Sequence, residues 1–145
     1  MHQQIKASPD NTAENVQRIV NALAARGINI EAIAPDFDPP HVRVLVDHDG
    51  FDDAMAALGD EGLTPEIRSA VLVPVPNKPG ALKGAIAGLA KRGLTVESIL
   101  VLPGMDQQDM ARVSFGIARR GIPGWNDQQA EDLANELGDE LINLP

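Results

Sequence analysis

The chain has no cysteine and no tyrosine, and aromatics make up 3% of its 145 residues, one tryptophan and three phenylalanines. Without cysteine there is no disulfide scaffold, no thiolate metal site and no cysteine nucleophile. So few rings also exclude base-stacking platforms and aromatic cages. Basic residues are scarce: 12 Lys and Arg stand against 21 Asp and Glu, a formal net charge of −9. Duplex nucleic acid is held mainly by cationic contacts to phosphate, so no direct nucleic-acid partner is expected. No apolar run approaches the roughly 18 residues of a membrane helix, and Met1 to Ser8 carry one lysine and no apolar stretch. The expectation is a soluble, cytoplasmic protein with no membrane partner. What the chain does have is 43% hydrophobic residues, enough to bury a core in one domain or two.

The chain repeats itself. Leu23 to Ile33 reads almost like Leu89 to Ile99, with Leu, Ala, Arg, Gly, Glu and Ile identical at an offset of 66. Upstream, Val16, Ile19, Val20 and Leu23 map onto Leu82, Ala85, Ile86 and Leu89, the spacing of one helix face. Gly27 and Gly93 stand just past these helices, where the chain turns left-handed at no steric cost to glycine. Arg26 and Arg92 sit in the last turns, suited to the negative end of the helix dipole.

After each glycine the sequence predicts a strand, Ile28 to Ile33 and Leu94 to Leu102, broken by Pro39-Pro40 and Pro103-Gly104. A second strand follows, with Val42, Val44 and Val46 alternating in the first copy and Ala111, Val113 and Phe115 in the second. Arg43 and Arg112 take equivalent outward positions. Next come second helices, from about Asp52 to Leu58 and after the cap Asn126, with Ala130, Leu133, Ala134 and Leu137 inward. Opening strands at Gln4 to Ala7 and Val71 to Val75, and closing ones near Glu66 to Ser69 and Leu141 to Leu144, complete the pattern. The expected fold is α+β: two tandem ferredoxin-like βαββαβ units, residues 1–69 and 70–145, each an antiparallel sheet with helices on one face. Pro74 inside a strand removes a ladder donor, and a bulge is expected there.

The most informative stretch is Val75-Pro76-Asn77-Lys78-Pro79-Gly80-Ala81-Leu82. Pro79 suits a helix start, and Gly80 lets a small ligand approach the backbone closely. The amides of Gly80, Ala81 and Leu82 are then candidate donors to a carboxylate at the positive end of a helix dipole. From Ala70 to Asn126 there are seven basic residues against three acidic, Glu97, Asp106 and Asp109, which favours an anionic ligand or an acidic partner surface. For any single lysine, a solvated helix end is the simpler reading.

Asn77-Lys78-Pro79-Gly80-Ala81-Leu82, followed by Arg92-Gly93-Leu94-Thr95-Val96-Glu97-Ser98-Ile99, resembles the ACT domain family, small βαββαβ modules that bind amino acids and related metabolites at interfaces between ACT units. The resemblance implies that Asn77 is a side-chain ligand contact, that the turn of Pro79 and Gly80 and the amides of Gly80, Ala81 and Leu82 receive the carboxylate, and that Thr95 and Val96 line the pocket. In the first copy Ala13 and Glu14 replace Pro79 and Gly80 while Asn11 is kept, so that degenerate half is expected to be structural or a partner surface. The implied function is a non-catalytic sensor, a homodimer that binds a small amino acid or related metabolite at an ACT interface and signals allosterically to a regulated enzyme or other protein. The same residues are similar to the ACT unit of acetolactate synthase regulatory subunits. A pure dimerisation module is the other alternative.

No cofactor, metal or catalytic residue is expected. Ser98 and Ser114 have no histidine near them in sequence, and His2, His41 and His48 lack ligand spacing. Asp47-His48-Asp49-Gly50 reads as a solvated turn, Asp36, Asp38, Asp52 and Asp53 as a solvated loop and a helix start, and Trp125 as a staple for the helix after it.

Overall fold

A computed structural model describes residues 2–37, 40–102, 109–118 and 125–143. Within these the chain runs β1 (Gln3–Ser8), α1 (Ala13–Ala25), β2 (Ile30–Phe37), β3 (Pro40–Val46), α2 (Phe51–Asp60), β4 (Glu66–Pro76), α3 (Ala81–Lys91), β5 (Thr95–Leu102), β6 (Met110–Ala118) and α4 (Asp127–Ile142). It divides into two compact units, Gln3–Arg68 and Ser69–Pro145 together with Met1–His2.

In the first unit the strands lie in the order β2-β3-β1, all antiparallel. Ile5, Ala7, Val42, Val44 and Val46 form one face and close over Ile19 and Leu23 of α1 and Ala54 and Leu58 of α2, with Met55 partly buried beside them. The second unit repeats the plan with the order β4-β6-β5. There Val71, Val73, Val75, Val113, Phe115 and Ile117 meet Ala85 and Leu89 of α3 and Leu133, Leu137 and Leu141 of α4, and Trp125 packs against the same cluster. Each unit is therefore α+β, an antiparallel sheet with both helices in one core.

The helix ends explain the repeat. Gly27 and Gly93 are left-handed, with φ of 69° and 80°. Their N–H groups reach Ala24 O and Ala90 O, while Ile28 and Leu94 reach back to Leu23 O and Leu89 O. That double bond pattern satisfies the last carbonyls of a helix and turns the chain into the next strand. Arg26 and Arg92 are the C-caps.

Three expectations differ from what is observed. Glu66–Ser69 is not a separate closing strand but the start of β4, which runs unbroken to Pro76. Leu141 and Ile142 belong to α4 rather than to a strand. The reason is the spacing of Leu133, Leu137 and Leu141, one face of a helix that keeps all three in the core. The second unit is thus βαββα among the described residues, and the first ends in the opening residues of β4, Glu66–Arg68. Third, Pro74 pairs with Arg112 in regular register, without the expected bulge. An unbroken ladder requires the missing N–H to belong to the side of β4 turned from β6, where no β6 carbonyl waits for it. The Pro39 and Pro103-Gly104 breaks lie outside the described residues.

Candidate functional site

At the end of β4, Pro76 pairs with Met110. The Asn77 N–H then donates to Asp109 O at 2.5 Å, extending the ladder by one bond. Asp109 itself is left-handed, φ 53°, which aspartate tolerates better than most residues. Lys78 N donates to Pro76 O at 2.9 Å, and the Ala81 N–H to Lys78 O at 3.2 Å. Gly80 is the N-cap of α3, with φ 85° and no side-chain cap. A Cβ there would meet nothing within 4 Å, so the glycine is required by its backbone angle and leaves open space above the helix end.

Two of the three amides expected to receive a carboxylate, those of Gly80 and Leu82, find no carbonyl among the described residues. The third, Ala81, is already engaged by Lys78 O, because the turn that brings Pro79 to the surface closes on itself. Asn77, Pro79, Gly80 and Leu82 are exposed while Ala81 is buried. Of the basic residues that make this half positive, Lys83 is exposed close to the loop. Arg92 lies at the other end of α3, where Glu136 and Glu140 neutralise it. Hydrogen bonding to Glu140 holds its guanidinium above the usual arginine value. Arg119 and Arg120 lie outside the described residues.

Thr95 and Val96 are not brought to this loop within their own unit. Thr95 pairs with Ala118 at the far end of β6 from Met110, about 26 Å away at about 3.3 Å per residue. In an antiparallel sheet the end of β4 and the start of β5 stand at opposite edges, so closeness in the motif does not become closeness in space.

The corresponding start of α1 is chemically different. Thr12 caps it, its hydroxyl accepting from Asn15 N at 3.3 Å. Asp10 accepts from the Thr12 N–H at 3.0 Å and from Asn15 Nδ2 at 2.6 Å. The Thr12 backbone bond, first among these, holds the Asp10 carboxyl below its usual value. Asn11 donates to Asp36 O at 3.1 Å. This helix start has side-chain acceptors for the Thr12 and Asn15 amides and carries two carboxylates, Asp10 and Glu14, where the other has none.

Sequence reasoning missed a polar cluster in the first unit. Arg43, described above only as outward, is 3% exposed; its Nε donates to Asp36 at 2.8 Å and its guanidinium to Gln4 Oε1 at 3.2 Å. His41 Nε2 stands 2.7 Å from the same Asp36 oxygen. Asp36 is thus part of β2 and ion-paired, not a solvated loop residue. Cross-strand pairing of Asp36 with His41 creates the group, and only its place in β2 and β3 could have signalled it. Asp47 closes its own turn by accepting from Gly50 N at 2.7 Å. Among the described residues no group of three or more His, Asp or Glu side chains is placed to hold a metal ion. No helix among them is long and apolar enough to cross a membrane.

No family model and no curated protein matches the chain. Solved structures do. A protein from Bacteroides thetaiotaomicron is 20% identical with a TM-score of 0.69, covering 99% of this chain and 96% of its own. Aspartokinase alpha and beta subunits are 15% identical with a TM-score of 0.65, covering 99% and 93%. The regulatory subunit of aspartate kinase from Thermus flavus is 19% identical with a TM-score of 0.63, covering 98% and 93%. The chain therefore shares the fold of these proteins, among them a regulatory subunit of aspartate kinase.

Proposed function

We propose that the chain is a non-catalytic regulatory protein built from two ACT-type units. It binds a small amino acid at the Asn77–Leu82 loop, and ligand occupancy is read by a partner protein. The observation that carries this reading is the contrast between two equivalent helix starts. α1 is capped by Thr12 and guarded by the Asp10 and Glu14 carboxylates, whereas α3 begins at an uncapped, left-handed glycine in open space. Unpaired amides at a helix start attract a carboxylate. The likeness to regulatory subunits of aspartate kinase supports regulation, and supports an enzyme as the partner.

In this reading the carboxylate lies on the Gly80 and Leu82 amides and the Asn77 side chain binds the ammonium or the side chain of the ligand. Because Thr95 and Val96 are distant within one unit, they serve the pocket only when supplied by a second copy of the chain, as a homodimer allows. Binding then changes the association of copies, since a ligand shifts an equilibrium only through its differential affinity for the two states. Calorimetric titration with each common amino acid tests the proposal. One or a few should bind the native chain, and Asn77→Ala, at an exposed position that leaves folding intact, should weaken that binding at least tenfold. Absence of binding by all of them sinks the sensor reading and leaves an interaction module.

A further inference from the structure

A cavity of about 310 Å³ lies in the second unit, between the start of β4 and the first turns of α4. It is distinct from the Asn77–Leu82 loop: Ala70 on its floor is six residues from Pro76 along β4, about 20 Å in an extended strand. The cavity exists because α4 presents two small side chains, Ala130 and Ala134, to β4 at helical spacing. Its size falls at the lower end of small-molecule sites, about 300 to 1,000 Å³.

The chemistry of its walls is one-sided. Ala70 and Leu72 give an apolar floor, and Asp127 and Glu131, one turn apart on α4, stand on the rim with Asn135 a turn further on. Asp127 and Glu131 are exposed and make no ion pair among the described residues. His2 also lines it, and its Nε2 lies 2.6 Å from Ser114 Oγ. Burial first, then nearby positive charge including Arg112, lowers its pKa to about 4, so this lining group is a neutral imidazole. Among the described residues no Lys or Arg side chain lines the cavity.

We propose that this cavity is a binding site for a small organic cation, a primary amine carrying a compact apolar body. The ammonium sits between Asp127 and Glu131, and the body fills the space over Ala70 and the two helix alanines. A free amino acid is disfavoured there, because its carboxylate faces the same two acids. This site is therefore independent of the amino-acid reading and stands or falls separately from it.

The test is an amide NMR titration of the full chain with 2-phenylethylamine and, in parallel, with its neutral counterpart 2-phenylethanol. The amine should shift the amides of residues 70–72 and 130–135 and leave Gly80 unmoved, and the alcohol should bind at least fivefold more weakly. Glu131→Gln, at an exposed position, should bring the amine down toward the alcohol. Ala130→Leu, which fills the cavity, should abolish the shifts. Equal affinity for amine and alcohol, an unchanged response in Glu131→Gln, or shifts confined to other parts of the chain would overturn the proposal.

Discussion

Arg26 and Arg92, 66 positions apart, do the same work in their two units. Each is the C-cap of the unit's first helix and each reaches acid on the second, Asp60 for Arg26 and both Glu136 and Glu140 for Arg92. Arg92 also donates to Gly88 O at 2.9 Å. The repeat thus extends from a helix cap to a tie between helices, and the tie is tighter where the guanidinium is less exposed, 19% against 38%.

Loss of the tie should therefore be unequal. Arg92→Ala is expected to destabilise the chain by about 1 kcal/mol and Arg26→Ala by less than about half of that, since exposed pairs contribute about 0.2–1 kcal/mol. Urea unfolding at low and high salt measures both, and the Arg92 effect should shrink as salt rises.

Close packing of α3 against α4 leaves little room for a side chain at Gly88. A Cβ there would stand 2.4 Å from Leu137 Cδ1, so the Leu137 side chain, 1% exposed, would have to shift within the core. Gly88→Ala should cost about 1–3 kcal/mol, the usual cost of overpacking, although alanine is the better helix former. Thermal unfolding would show it as a lowered Tm.

At the start of α1, Thr12→Ala should cost about 1 kcal/mol through loss of the cap without touching ligand binding. Asp10 adds a pH dependence. Its carboxyl is depressed in the folded chain, so its contribution is present above the unfolded value of 3.8 and is lost as pH falls through the lower folded value. Asp10→Asn should flatten that acid limb of the stability curve.

His2 acts in a different window. Its folded pKa of about 4 lies below the ordinary 6.5, so the unfolded chain binds the extra proton first and stability falls as pH drops from about 6.5 to about 4. Below that range the penalty is constant. His2→Gln should remove this slope, and an NMR titration of the imidazole gives the pKa directly.

Features set by a few adjacent residues were readable in the sequence. The glycine stops at Gly27 and Gly93, the Asn126 cap, which accepts from Gln129 N at 2.9 Å, and the alternating core strands each follow from local backbone rules. Features set by pairing across the sheet were not. Arg43 is buried because Asp36 and Gln4 come to it from other strands. Thr95 is far from Gly80 because β5 starts at the opposite end of the sheet. The final segment is helix rather than the expected strand for a local reason, since Leu141 continues the helical spacing of Leu133 and Leu137. Of the candidate site, the loop and its uncapped helix start were legible, and the engagement of the Ala81 amide by Lys78 O was not.

The central claim is that the Gly80 and Leu82 amides hold a carboxylate. Its most direct measurement is an amide NMR titration with whichever amino acid binds the chain in calorimetry. The account predicts large downfield shifts at Gly80 and Leu82, smaller ones at Ala81, and none at Asn15, whose N–H the Thr12 hydroxyl already occupies. A binding amino acid that leaves Gly80 and Leu82 unmoved would contradict it.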